Sequence, residues 1–342
     1  MAVSRINEAG LNINQYGNRN LIINGAMQVA QRGTSVTGKN TTGYYTVDRF
    51  DTYAANMNSN TFAQSQSTDN PSGFAKSLRF DSETSNGAAS NTSFYCRQLF
   101  EGQDLQRLNY GTSDAQPITI SFFVKSNLVG DFTLSLYRHD GGRNVGKAYT
   151  INNADTWEYK QITIVGDNTT VSDDDNLVSM QVAWFLSMGS SSKTGTFTDG
   201  QWQAYSFADY TAPNQVDFFS SSSNYWQITG VQVEVGDTAT DFEHRTFADE
   251  LARCQRYYVK FKATSNYSYY GSGVSDTATS ARIFKSFPVE MNHVPVLEQS
   301  ANNTWNIYPP SQAFSANATI NNASVWGSAI NCTVASGLQT GY

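Results

Sequence analysis

The chain has 342 residues, of which 15% are charged and 13% aromatic, with 20 Phe, 19 Tyr and a formal net charge of −7. So few charges among so many strand-forming side chains exclude a disordered chain and a helical bundle, and point to an all-β fold. The negative balance leaves no basic footprint for nucleic acid, and no apolar run is long enough to span a membrane.

The first residues, MAVSRINEAG, lack the hydrophobic core of a signal peptide. Residues 1–20 carry Ile6, Leu11, Ile13 and Tyr16 among polar residues, too few for a core of their own. They are expected to form an attachment arm, with Arg5, Ile6, Leu11, Ile13 and Tyr16 as candidate contacts. Residues 65–93 and 189–200 read as loops. In 118–124, Ile118, Ile120, Phe122 and Val124 share one face of a strand. In 132–138, Phe132, Leu134 and Leu136 oppose Thr133, Ser135 and Tyr137. In VSMQVAWFLSM, Val178, Met180, Val182, Trp184, Leu186 and Met188 form one face. Phe185 interrupts the polar face opposite, which suggests partial cover there too.

Two strands change parity partway. In TWEYKQITIV the change falls near Lys160-Gln161, and in WQITGVQVEV at Gly230; a β-bulge is expected at each. Thr246 reads as a helix N-cap with Asp249 in the capping-box position. Phe247, Leu251, Cys254 and Tyr258 follow at helical spacing, so a helix over 246–256 is expected. After Phe261 strand chemistry returns in ARIFKSFPVEM, TWNIYPP and INCTVASG. Cys96, Cys254 and Cys332 show neither metal spacing nor a disulfide framework, consistent with synthesis in a reducing cytoplasm. The Asn-x-Ser/Thr triplets at Asn91 and Asn322 reflect composition.

NRNLIINGAMQVAQRGTS followed by YTVDRF resembles the opening of a recurrent bacteriophage tail-fibre module. TWEYKQITIVGD is similar to part of that module's carbohydrate-binding-module jelly roll, and ITGVQVEVG with DFEHRTFADELARCQRYY to its closing signature. SARIFKSFPVEMNHVP and CTVASG resemble the β tip domain that often follows. The resemblance spans roughly residues 19–337. It implies a jelly-roll β-sandwich over 21–245, a linker helix over 246–260 and a smaller β tip domain over 261–342. It also implies a homotrimer located in the virion, made in the host cytoplasm, with other virion proteins and host-surface polysaccharide as partners. The short arm stands where ordinary tail fibres carry a long anchoring shaft.

Asp48 and Arg49 are read as buried or semi-buried pairs that close the sandwich, and His244 and Arg245 as hydrogen-bonding the bend before the helix, so that the segment forms a clasp between two β-domains. Asp173-Asp174-Asp175-Asn176 lacks EF-hand spacing and reads as a solvated acidic turn in preference to a calcium site. Glu101, Asp104, Asp209 and Asp217 have no spacing that singles out a glycosidase pair. No GxSxG, HExxH, Walker or Cys/His constellation is present, so no enzyme, cofactor or metal is expected. Sugar recognition needs flat rings beside hydrogen-bonding groups. One candidate cluster is Trp202, Tyr205 and Tyr210, with Trp202 better suited to core. The other is Tyr267, Tyr269 and Tyr270 with Trp305 and Tyr308. The leading expectation is a non-catalytic virion protein that contacts host glycan. A ligand-free decoration or adaptor protein and a polysaccharide depolymerase are the alternatives.

Overall fold

The computed structural model describes residues 18–262, 271–298, 305–307, 314–321, 323–335 and 338. They form two compact units that divide between Glu250 and Leu251. The candidate arm residues Arg5, Ile6, Leu11, Ile13 and Tyr16 lie outside the described residues.

The first unit contains β1 Ser35–Lys39, β2 Asp51–Ala55, β3 Phe62–Ser67, β4 Ser77–Ser82, β5 Ser93–Glu101 and β6 Ile118–Ser126. It continues with β7 Gly130–Arg138, β8 Arg143–Ile151, β9 Glu158–Ile164, β10 Val178–Met188, β11 Gln203–Ala204 and β12 Tyr225–Val235. Two six-stranded sheets result, ordered β1-β3-β4-β12-β6-β9 and β11-β8-β7-β10-β5-β2. Successive strands repeatedly change sheet, as in a jelly-roll β-sandwich. One core lies between the sheets. Ile118, Ile120, Phe122 and Val124 enter it from the first, and Phe132, Leu134, Leu136 and Trp184 from the second. The alternation in these strands exists because each sheet buries one face there.

Several expectations are corrected. The stretch 65–93 is no simple loop: it holds the end of β3 and all of β4, whose Leu78 and Phe80 are fully buried. No bulge occurs at Lys160-Gln161, because β9 pairs with β6 without a register shift. Ile162 and Ile164 face the core, whereas Tyr159 faces outward and packs on Phe123 at 5.1 Å. Trp157 precedes the strand, so its parity carries no register information. In β10 a register shift between Phe185 and Ser187 turns Met188 away from the main core. Val178, at the open end of that strand, is exposed.

The bulge at Gly230 is present. The pairing of β12 with β6 shifts between Thr229 and Gln232, and both Trp226–Ile228 and Val231–Val233 contribute side chains to the core. Gly230 has φ +60°, and a Cβ there would lie 2.6 Å from the Phe74 ring. Both conformation and space therefore require glycine.

Glu243, Arg245 and Glu250 form a clasp, but one within the first unit: they fasten the amino-terminal segment beside β12. The Leu21 N–H donates to the Val233 carbonyl at 2.8 Å, and the Val231 N–H to Gly25 at 3.0 Å. Glu243 accepts the N–H groups of Asn18 at 2.7 Å and Asn20 at 2.8 Å. Arg245 donates to the carbonyls of Asn20 and Ile22 and bridges Glu243 and Glu250. Glu250 in turn accepts from the Asn24 N–H. His244 packs against the rings of Phe74 and Phe242. Asp48 and Arg49 are both buried. Asp48 accepts from the Gln31 backbone and side chain, while Arg49 donates to the Leu99 carbonyl at 2.5 Å.

Helix α1 spans Phe247–Gln255. Thr246 Oγ1 accepts the Asp249 N–H at 3.2 Å and donates to its carboxylate at 2.7 Å. Phe247, expected on the apolar stripe, is exposed, while Cys254 is buried. The second unit has one antiparallel sheet of β13 Gly273–Thr277, β14 Ser280–Ser286, β15 Trp305–Ile307, β16 Phe314–Asn321 and β17 Gly327–Thr333, ordered β13-β14-β17-β16-β15. Its core includes Ala281, Ala316, Ala318, Ile330 and Cys332. Among the described residues no helix is long and apolar enough to cross a membrane.

Gly230→Val should lower stability by about 1–3 kcal/mol, through strain and overpacking, in denaturant titrations. The clasp should give an acid transition. Burial opposes the Glu243 charge, but the Asn20 N–H, the Arg245 charge and the Asn18 N–H hold its carboxyl below the ordinary range. A carboxyl depressed in the folded state contributes stability above its unfolded value and loses it as pH falls through the folded one. Glu243→Gln should therefore melt below wild type at neutral pH, and the two melting curves should converge on acidification below about pH 4.

Candidate functional site

Strand alternation sends a second set of side chains outward from the sheet β11-β8-β7-β10-β5-β2. Opposed residues fall into rows across it: Tyr53–Tyr95–Phe185, Asp51–Arg97–Ala183–Ser135, and Gln181–Tyr137–Asn144. This face is not a plain polar surface. Tyr95, Ala183, Phe185, Met188 and Tyr210 form a buried apolar cluster of their own on it, with Tyr53 and Phe207 packed alongside. The chain after β11 folds back over the sheet to supply Phe207 and Tyr210. The Tyr205 N–H is held by the Gly142 carbonyl at 2.8 Å, and the Ala212 N–H by Thr133 Oγ1 at 3.1 Å.

On that floor stands an ordered set of rings around one guanidinium. Tyr53 and Tyr95 stack at 4.6 Å and 10°. The Arg97 guanidinium lies 4.9 Å from the Tyr53 ring centre. Its Nε donates to Asp51 at 2.7 Å and its Nη1 to Gln181 at 3.0 Å. Among the described residues Nη2 makes no hydrogen bond. Tyr205 packs edge-on against Tyr137 at 5.1 Å and Tyr210 at 5.2 Å. Tyr137 also meets His139 at 4.6 Å. Tyr44 adds a further ring, with Arg32 5.5 Å from its centre. Tyr44, Tyr53 and Tyr137 are half-buried and Tyr205 is 43% exposed. The hydroxyls of these four tyrosines make no hydrogen bond to other described residues.

Burial favours the neutral forms of Tyr44 and Tyr95, and Asp51 favours the charged form of Arg97. Burial raises the Tyr44 hydroxyl above its ordinary value, against the pull of Arg49. Burial also raises Tyr95, strongly. For Arg97 burial works against the charge, but Asp51 and Tyr95 outweigh it and raise its value. Desolvation lowers His139 despite its hydrogen bond with Gln181, and Arg97 adds to the lowering. The face thus offers aromatic rings, hydroxyl donors and acceptors, and the charged Arg97 guanidinium.

The expected clusters are only partly reproduced. Tyr205 and Tyr210 lie on this face, Tyr205 at its surface and Tyr210 in its floor. Trp202 instead packs on the main core, edge-on to Tyr110 at 5.9 Å, with its Nε1 donating to the Val165 carbonyl at 2.7 Å. Tyr267, Tyr269, Tyr270 and Tyr308 lie outside the described residues, and Trp305 opens β15. Sequence reasoning passed over Tyr44, Tyr53, Tyr95 and Arg97. The signal was present in SFYCRQLFE, where Tyr95, Arg97 and Leu99 alternate with the core residues Phe94, Cys96 and Phe100.

Of the carboxylates considered for hydrolysis, Asp217 and Glu101 accept hydrogen bonds within the fold. Asp217 accepts from the Phe219 and Ala88 N–H groups and from the Ser187 hydroxyl. Glu101 is buried and accepts from Gln103 at 2.7 Å. Asp175 accepts the Leu177 N–H at 2.9 Å, turning the acidic loop. Among the described residues no group of three or more His, Cys, Asp or Glu is arranged to hold a metal ion.

No protein-family model matches the chain, and no curated protein matches its sequence. Solved structures are similar to it at low level. A tailspike protein 4 enzymatically active domain from bacteriophage CBA120 is 11% identical, with a TM-score of 0.32 over 64% of this chain and 21% of its own length. A sugar-binding protein from Bacteroides thetaiotaomicron, itself a provisional assignment, is 11% identical with a TM-score of 0.32, over 63% of this chain and 99% of its own. The carbohydrate-binding module TmCBM61, solved with β-1,4-galactotriose, is 9% identical with a TM-score of 0.30, over 64% and 99%. Likeness at this level carries no inference about ligand or activity.

Tyr205→Ala removes a ring that is open to solvent and should cost less than about 1 kcal/mol. Tyr210→Ala empties the floor of the face and should cost about 3–5 kcal/mol in the same melting experiment, as buried aromatic truncations do.

Proposed function

We propose that this protein is a non-catalytic, tail-fibre-like component of a phage particle that binds host-surface glycan on the outer face of the sheet β11-β8-β7-β10-β5-β2. The observation that carries the glycan reading is the pairing of tyrosine rings with hydroxyls that no other described residue engages. Sugar rings present C–H faces that stack on aromatic surfaces, and hydroxyls that exchange hydrogen bonds at their rim. The sandwich holds the rings before any ligand arrives, which reduces the ordering cost of binding. The virion location, the homotrimeric state and the partnership with other virion proteins rest on the sequence resemblance to tail-fibre modules.

The test is a glycan array probed with the wild-type chain and with Tyr53→Ala/Tyr137→Ala. Wild type should retain a subset of polysaccharides. The double variant should lose at least about tenfold in affinity, with one to two aromatic contacts removed, and should keep a cooperative melt. An array with no retained glycan would favour a ligand-free decoration or adaptor protein. Release of oligosaccharide from a bound polymer would favour a depolymerase.

A further inference from the structure

The tyrosine face carries a charge that a neutral sugar does not need. Arg32, Arg49 and Arg97 all act electrostatically on Tyr44, as does Asp51. Asp48 is 2% exposed and taken up by Gln31. Asp51 is itself occupied by Arg97. Both carboxylates accept hydrogen bonds within the protein, whereas Arg97 keeps Nη2 without a hydrogen bond among the described residues.

Arg97 is the centre of the group. Asp51, Gln181 and the stacked Tyr53–Tyr95 pair hold its plane in one orientation. An oriented guanidinium with an unused nitrogen is suited to a planar anion and gives a charge-assisted hydrogen bond stronger than a neutral one. Resting on the glycan reading given above, we infer that the ligand is an acidic saccharide, a polymer bearing hexuronate carboxylates. A carboxylate pairs with Arg97 Nη2 while the adjacent sugar rings stack on Tyr53 and Tyr137.

Affinity electrophoresis of the full chain tests this. Gels would contain polygalacturonate, alginate or hyaluronan as uronate polymers, dextran sulfate as an anion without carboxylate, or galactan, xylan or laminarin as neutral polymers. At least one uronate polymer should retard the protein, and more strongly than dextran sulfate does. Asp51→Asn/Arg97→Gln removes the pair together, so no buried charge is left alone, and should weaken retardation at least about tenfold. A second measurement uses wild type alone: raising salt from about 50 mM to about 500 mM should weaken uronate binding. Retardation by neutral polymers only, sensitive to Tyr53→Ala, would keep the glycan site and overturn its acidic specificity. Equal retardation by dextran sulfate and uronates would overturn the carboxylate assignment. Uronate binding indifferent both to salt and to the double variant would overturn the role of Arg97. Retardation by no polymer would overturn the glycan site and the inference together.

Discussion

Arg245 is the interaction on which the sandwich depends. Beyond the bulge at Gly230, β12 receives the amino-terminal segment alongside it, through the backbone bonds of Leu21 and Gly25. Besides the fully buried Ile22 and the Asn20 side chain, which bonds to Val231 and Val233, charged groups hold the segment 18–25 in place against its chain entropy. Arg245 does so by donating to two of its carbonyls while its charge is balanced by Glu243 and Glu250, which accept N–H groups of the same segment. The network is nearly closed on itself, and that is the condition under which ions at low exposure stabilise. Its side chain is 7% exposed. Residues more than two hundred positions apart are thereby joined, so that the start and end of the first unit form one structure.

The same logic of two-sided burial shapes the candidate site. The inner face of the second sheet is filled by Phe132, Leu134, Leu136 and Trp184. Its outer face is half covered by the chain around Tyr210, which supplies a second apolar floor and leaves the rest open. Rings standing at the border between cover and solvent have packed bodies and free tips. Tyrosine suits that position because its ring gains from contact and its hydroxyl from water or ligand. Arg97 joins in the same way: its guanidinium plane lies beside the rings, and Asp51 and Gln181 fix its edge.

Much of the sandwich was legible because period-two alternation is a direct record of one buried face. Ile118–Val124 and Phe132–Leu136 read correctly for that reason, and Gly230 announced its bulge by residue type as well as parity. Tyr159 does lie opposite Ile162 as parity had it, but without the expected bulge, because it packs on Phe123 outside the core, and Met188 leaves the face that parity gave it because of a register shift in β10. β4 was missed because SLRFDS is short and holds only two apolar residues, Leu78 and Phe80, yet both are fully buried. Of the candidate site, Tyr205 and Tyr210 were legible from ring-rich composition, whereas Trp202 went to the core, as its size favoured.

By itself the sequence determined the class of the fold, the phase of its central strands, the position of its bulge and the start of its helix. Each of these is a local matter of residue type, alternation or capping. The clasp residues were visible as a charged cluster, but their partners were not, since Asn18, Asn20, Ile22 and Asn24 become neighbours only when the sandwich closes. The tyrosine face was likewise decided by tertiary structure. Tyr44, Tyr53, Tyr95, Arg97, Tyr137 and Tyr205 come from separate strands and loops, and their meeting depends on strand order in the sheet. Strand order follows from long-range backbone pairing, of which a linear pattern of side chains holds no record.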